Sequence, residues 1–347
     1  TQAELFAHRF DSKTLSATLA IIALIAFVPY LVLQIKGAGY VFNVVTEGRM
    51  PVWAGAAIAY GVVLIYVFKS GVMGVAWTNT FQGICMMVLA WGLGLYLPWK
   101  LHGGVGPMFD NLAASVPEML EAPGLSAGGE PWSWGAYASA IAISSIGFSL
   151  WPHYVMKIYT AKSIRTLKRT VVFYPTFQIF LIPILFIGFS GIGVPRFAGV
   201  EPADAILPTI LMSLDLPAVV IGLFCAGALA ASMSTGDALL HASGSVLVRD
   251  LICVAWPGRF DDVEQTRLIR VLLIVVSAVA YYFAVMSQLS LVALLLLSYG
   301  FIAQVAPVLV ATFFFPRATP AGALAGLLAG CAVVVLFNYL PQLQWQS

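Results

Sequence analysis

Charge is what this sequence has least of. Of 347 residues, 15 are Asp or Glu and 17 are Lys or Arg, together 9%, where a soluble domain carries about a quarter. That shortage excludes a water-solvated surface. With 61% hydrophobic residues and a mean hydropathy of +0.94, the exposed apolar area would drive association in water. A net charge of +2 offers no basic face to nucleic acid. Cysteine is scarce too. Cys85, Cys225, Cys253 and Cys331 lie far apart in or beside apolar runs, without metal-ligand spacing, and read as small buried hydrophobes. The chain begins with Thr1 rather than Met, and no signal peptide precedes its first apolar run. It reads as a piece of something longer, truncated at the N-terminus.

What is present is a series of long apolar runs. Hydrocarbon offers no partner to backbone N–H and C=O, so a crossing requires a helix of about 20 apolar residues. The sequence predicts nine crossings, at 15–35, 51–68, 74–97, 134–157, 168–192, 217–248, 266–286, 289–314 and 320–340. They form an all-α polytopic membrane domain over 1–347. Lys and Arg set its orientation. With the residue 1 end placed in the cytoplasm, 13 of the 17 basic residues fall on the inner side, and Lys36, Arg49, Lys100 and Arg196 on the outer. The 98–133 loop reads as an outer cap, and 204–212 as a short interfacial helix. The localisation implied is the plasma or inner membrane, with the lipid bilayer as a partner.

A charge at the centre of a spanning helix costs about 2.5–3.5 kcal/mol on insertion scales. One formal charge lies well inside a predicted span, Asp237 in Ala230-Ala-Ser-Met-Ser-Thr-Gly-Asp237. Ser234, Ala238 and His241 share a helical face with Gly227 and Ala231, Thr235 flanks it, and Asp237 follows Ser234 by three residues. Hydroxyl and carboxylate oxygens are the hard ligands that small cations prefer. The competing reading has the Ser/Thr pair bonding back to its own helix. The run Ser144-Ser-Ile-Gly-Phe-Ser-Leu-Trp-Pro-His153 interrupts the fourth span, because Pro152 removes one donor and crowds a carbonyl. Broken helices of this kind form midplane substrate sites in secondary transporters. An ordinary proline kink is the alternative.

Three stretches, in order, resemble the sodium/solute symporter family. They are Trp77-Thr-Asn-Thr-Phe-Gln82 with Ala54-Gly-Ala and Gly71-Val-Met-Gly before it, Trp151-Pro-His-Tyr-Val-Met-Lys-Ile-Tyr-Thr-Ala-Lys-Ser163, and Ala230-Ala-Ser-Met-Ser-Thr235. Ala306-Pro307 and Pro320-Ala-Gly-Ala-Leu-Ala-Gly also fit that family. The resemblance implies the inverted-repeat fold of the bacterial leucine transporter, here with core helices three to ten plus one more, the first two being missing. It implies a sodium site using the Ala231 carbonyl and the Ser234 and Thr235 hydroxyls, whose remaining ligands belong to the absent first core helix. It implies a substrate site at Ser145, Phe148 and Ser149, with Gln178 and Tyr299 opposite, and no Lys or Arg among those positions to clamp a carboxylate. One departure stands out. The family's third-span motif ends in Asp on the inner ion path, where this chain has Asn79. An acid stands instead at Asp237. The expectation is a charge swap, with Asn79 and Asp237 facing each other on a second cation path.

The reading is a non-enzymatic, cation-coupled symporter, driven by Na+ as coupling ion and without another cofactor, for a small solute such as a monocarboxylate or amino acid. Proton coupling through Asp237 and a solute-sensing receptor with a transporter-like body are the alternatives. An intramembrane enzyme is disfavoured, because Ser234 and His241 lie two turns, about 10.5 Å, apart, beyond nucleophile–base contact.

Overall fold

The computed structural model describes residues 1–125, 130–197, 199–214 and 216–339, the side chains of 69–75, 203, 338 and 339 excepted. The Lys69 side chain, the side chains of the 71–74 stretch and the last residue of the expected ninth span lie outside the described residues. A short helix α1 (Gln2–Phe10), closed by a Thr1/Glu4 capping box, leads into α2 (Lys13–Val45). The segment expected as an outer cap contains the helix α4 (Val105–Ser115).

Among the described residues, seven helices are long and apolar enough to cross a membrane, and a shorter apolar stretch covers Val52–Phe68. The fourth expected span completes the set, as two short helices. Among the described residues there are no strands beyond one isolated bridge, Leu125 to Pro131.

The boundaries differ from expectation in one place that matters. The spans expected at 51–68 and 74–97 run as one helix, α3 (Val52–His102), of 51 residues. The intervening Lys-Ser-Gly-Val-Met holds no proline, so the N–H to C=O ladder continues through it. A straight helix of that length measures about 77 Å, more than twice the hydrocarbon thickness of about 30 Å. The helix is not straight. Tyr66 and Asn79 would stand about 20 Å apart on a straight axis, yet both reach one carboxylate on another helix. The axis therefore bends between them.

Proline breaks the fourth span where expected. α5 (Trp134–Gly147) passes through a 3₁₀ turn at Phe148–Leu150, Trp151 is extended, and α6 (Pro152–Tyr159) starts on Pro152, the position where a missing N–H costs nothing. The fifth span divides into α7 (Ile164–Gln178) and α8 (Leu181–Ser190). The interfacial helix appears as α9 (Ile206–Met212). α10 (Ala218–Val246) continues through a π-helical turn, Leu247–Ile252, into α11 (Cys253–Ala255). α12 (Asp262–Met286) follows, then the pair α13 (Leu291–Ala303) and α14 (Ala306–Phe314), split before Pro307, and α15 (Pro320–Tyr339).

The core sits where α2, the first arm of α3, α10, α12 and α13 meet. Phe27, Leu31, Ile35, Val63, Leu239 and Ile302 are fully enclosed there. Close approach is bought by small residues. A Cβ at Gly236 would strike the Tyr60 hydroxyl, and one at Gly147 would lie 2.7 Å from the Tyr299 ring. The latter contact seats α13 on the end of α5, beside the break.

Candidate functional site

The site is assembled on α10. Asp237 is fully buried and stands where α10 meets both arms of α3. The Tyr66 hydroxyl, from the first arm, donates to Asp237 Oδ2 at 2.8 Å. The Asn79 amide, from the second arm, donates to Asp237 Oδ1 at 3.5 Å. No Lys or Arg lies within 4 Å of this carboxylate among the described residues. The carboxylate is thus held by neutral side-chain donors and by the Ala238 backbone, with Lys157 acting on it electrostatically but making no contact ion pair, in a medium where a buried charge is costly. Two acceptor oxygens on the same arm of α3, Asn79 Oδ1 and Gln82 Oε1, are buried without a hydrogen-bond partner.

The expected sodium ligands lie one turn away. The Ser234 hydroxyl donates to the Ala231 carbonyl at 3.0 Å, so two of the three expected oxygens are adjacent. That bond is also the back-bonding pattern offered above as the competing account. Ser234 and Thr235 line a cavity of about 730 Å³ together with Asn79, Thr80, His153, Tyr154, Lys157 and Tyr174. The hydroxyls and Asn79 therefore share one space, with the buried Asp237 behind Asn79. Lys157 supplies the cavity with a cation that the sequence reading, which found no Lys or Arg among the substrate positions, had not placed there.

The expected substrate residues gather around the break between α5 and α6 without forming one surface. Phe148 packs against Tyr154 and Tyr174, with ring centroids 5.2 and 5.6 Å apart. Gln178 Nε2 donates to the Tyr174 hydroxyl at 2.7 Å, which ties Gln178 to Phe148 through a residue that pattern reading did not single out. Tyr299 meets Trp151 edge-on at 5.5 Å. Ser145 and Ser149 are exposed, and Ser149 Oγ donates to the Ile146 carbonyl at 3.4 Å. Trp151, fully buried between Phe27, Tyr30 and Tyr299, is the wedge that holds the break open.

Tyr66 was the member of the Asp237 cluster that sequence reasoning missed. A tyrosine inside an apolar run carries no signal of its own. Asp250 was missed as well. It is buried in the π-helical turn, beyond the predicted end of the span at 248, and accepts from Thr1 Oγ1 at 2.6 Å.

Comparisons with known proteins identify the family and the fold. Residues 1–330 match the sodium:solute symporter family. The chain is 27% identical to the uncharacterized symporter YhjB of Bacillus subtilis (strain 168), over 99% of this chain and 71% of that protein. It is 30% identical to the uncharacterized symporter YodF of the same organism, over 99% and 67%, and 25% identical to the sodium/proline symporter of Salmonella typhimurium (strain LT2), over 97% and 67%. Among solved structures, a Na+-coupled sialic acid symporter in a substrate-bound, outward-open state shares the fold, with a TM-score of 0.78, 18% identity, and coverage of 97% of this chain and 71% of that one. These relatives are transporters, not enzymes. The chain belongs to the sodium:solute symporter family.

Proposed function

We propose that the protein imports a small carboxylate-bearing solute, a monocarboxylate or an amino acid, with Na+ held by the Ala231 carbonyl and the Ser234 and Thr235 hydroxyls, and that a second cation passes by way of Asp237 and Asn79. One observation carries the reading. A fully buried carboxylate lies two and three residues from two hydroxyls that open on a cavity of about 730 Å³, and its side-chain hydrogen bonds come from two neutral donors, with no cation in contact among the described residues. A bound cation supplies that contact charge. The orphaned oxygens of Asn79 and Gln82 are further hard ligands for it. The charge has moved from α3 to α10, but it stays within the same cluster of side chains.

The substrate class is supported by relatives. Those similar to this chain include a high-affinity proline transporter of Bacillus subtilis (strain 168), a sodium/pantothenate symporter of Haemophilus influenzae and a monocarboxylate transport permease protein of Rhizobium johnstonii. Lys157 in the cavity wall gives a carboxylate a partner. The residue 1 end lies in the cytoplasm by the distribution of Lys and Arg. Arg9, which donates to the carbonyls of Thr312, Phe315 and Pro316, and Arg270, whose guanidinium lies over Phe68, each meet another inner-side segment. The energy source is inward ion movement, about 2.3 kcal/mol per charge per 100 mV, with the cation favouring the state that takes substrate.

The test is uptake by the full-length protein in proteoliposomes, with a panel including L-proline, pyruvate and pantothenate, in sodium against choline. Uptake driven by sodium is expected. Equal uptake in both salts removes sodium coupling and leaves the proton as the second reading, with the fully buried carboxyl of Asp237 as its carrier. Uptake confined to solutes without a carboxylate removes the substrate class.

A further inference from the structure

Another buried charge lies far from Asp237. Lys36, in the outer half of α2, is 6% exposed. Its ammonium donates to the Ser287 carbonyl at 3.1 Å and to the Leu289 carbonyl at 2.7 Å. These carbonyls belong to the joint Ser287-Gln-Leu-Ser290 between α12 and α13. Across the joint, the Asp204 carboxylate, from the outer segment before α9, accepts the Leu291 N–H at 3.0 Å. No ion pair joins Lys36 to Asp204, and neither has an opposite charge within 4 Å among the described residues. Their charges attract one another across the joint without touching, and each is in contact with the peptide groups it holds.

The placement follows helix electrostatics. The C-terminal end of a helix carries partial negative charge and the N-terminal end partial positive charge. Lys36 sits at the end of α12 and Asp204 at the start of α13, so each faces the terminus that its charge favours. The Tyr281 hydroxyl donates to the Trp53 carbonyl at 2.9 Å, which fixes the last turns of α12 on α3. The α12 side of the joint is thereby anchored. α13 leaves the joint packed on α2 and α5, and it carries Tyr299 against Gly147 and Trp151 at the break.

The geometry points to Lys36 and Asp204 as positioning residues that set the angle of α13 and so place Tyr299 at the broken helix. This rests on the reading of Tyr299 as a substrate residue only for its effect on transport. The clasp itself stands on the hydrogen bonds of the joint. A charged pair suits the task because each partner holds backbone, which in the joint only a proline at Leu291 would remove.

The experiment separates the two. Full-length protein without its native cysteines carries spin labels at Val292→Cys on α13 and Ile25→Cys on α2, both exposed positions, and pulsed EPR reads the distance distribution. Lys36→Gln and Asp204→Asn are each expected to broaden or shift it, and Lys36→Arg to retain it. For uptake of L-proline and of pyruvate, Lys36→Gln is expected to raise KM about fivefold while the maximal rate stays within about twofold. A distribution unmoved in both Lys36→Gln and Asp204→Asn overturns the proposal, whatever the transport constants do. If those variants move the labels while neither they nor Tyr299→Ala change KM, the clasp stands and the place of Tyr299 at the substrate falls.

Discussion

Two of the charges buried among the described residues, Asp237 and Lys36, are treated in opposite ways. Asp237 is held by side chains, one from each arm of α3. Lys36 is held by backbone carbonyls. Side-chain donors rotate and exchange partners. Carbonyls at the end of a packed helix do not. The first arrangement suits a charge that must accept and release an ion, and the second a charge that must stay put. Burial alone does not distinguish functional from structural charge; the kind of partner does.

The largest test of that contrast is Asp237→Ala, which removes the releasable charge. Sodium-dependent uptake should fall by about tenfold or more, equivalent to at least about 1.4 kcal/mol, and uptake with unchanged sodium dependence would end the role given to Asp237. Lys36→Met comes next and acts on stability. It strands two carbonyls that accepted from a cation, so unfolding of the full-length protein in detergent should become easier by about 2–4 kcal/mol. Asp237→Asn, by contrast, should leave stability within about 1 kcal/mol of the parent or raise it, because an isolated buried charge has gone. Equal losses in the two variants would erase the distinction. The swap Asp237→Asn with Asn79→Asp sharpens it further. Returning the acid to α3 should restore part of the sodium dependence lost in Asp237→Asn, about threefold, and no recovery would mean that the two positions do not share one path. Tyr66→Phe should have the smallest effect. Losing one hydrogen bond to a charged group, worth about 1.5 kcal/mol, should change the sodium concentration for half-maximal uptake by about tenfold at most, and an unchanged value would make Tyr66 a bystander.

Much of this was legible in the residues. Apolar run length is a direct reading of hydrocarbon thickness, so the spans were found and the seven long helices follow them. Pro152 named its own break, because a missing N–H and a ring clash act locally. The facing of Asn79 and Asp237 was legible only through the family resemblance, since no periodicity relates residues 158 apart. Tyr66 was not legible at all. Its role depends on the bend of α3, and a stretch without proline gave no sign that two expected helices would run as one. Lys36 misled in a different way. A basic residue at the end of an apolar run reads as a topology signal, and it was counted with the outer loops, whereas α2 continues to Val45 and buries it.

The bend in α3 has a mechanical meaning. Two arms of one continuous helix meet at an angle, and the carboxylate of a third element is tied to both. Asp237 is a brace across that corner. The length of a brace sets the angle of the corner it spans, so a ligand that draws either tie away from the carboxylate changes the opening between the arms. A ligand here would act on the angle between the arms as well as on the charge.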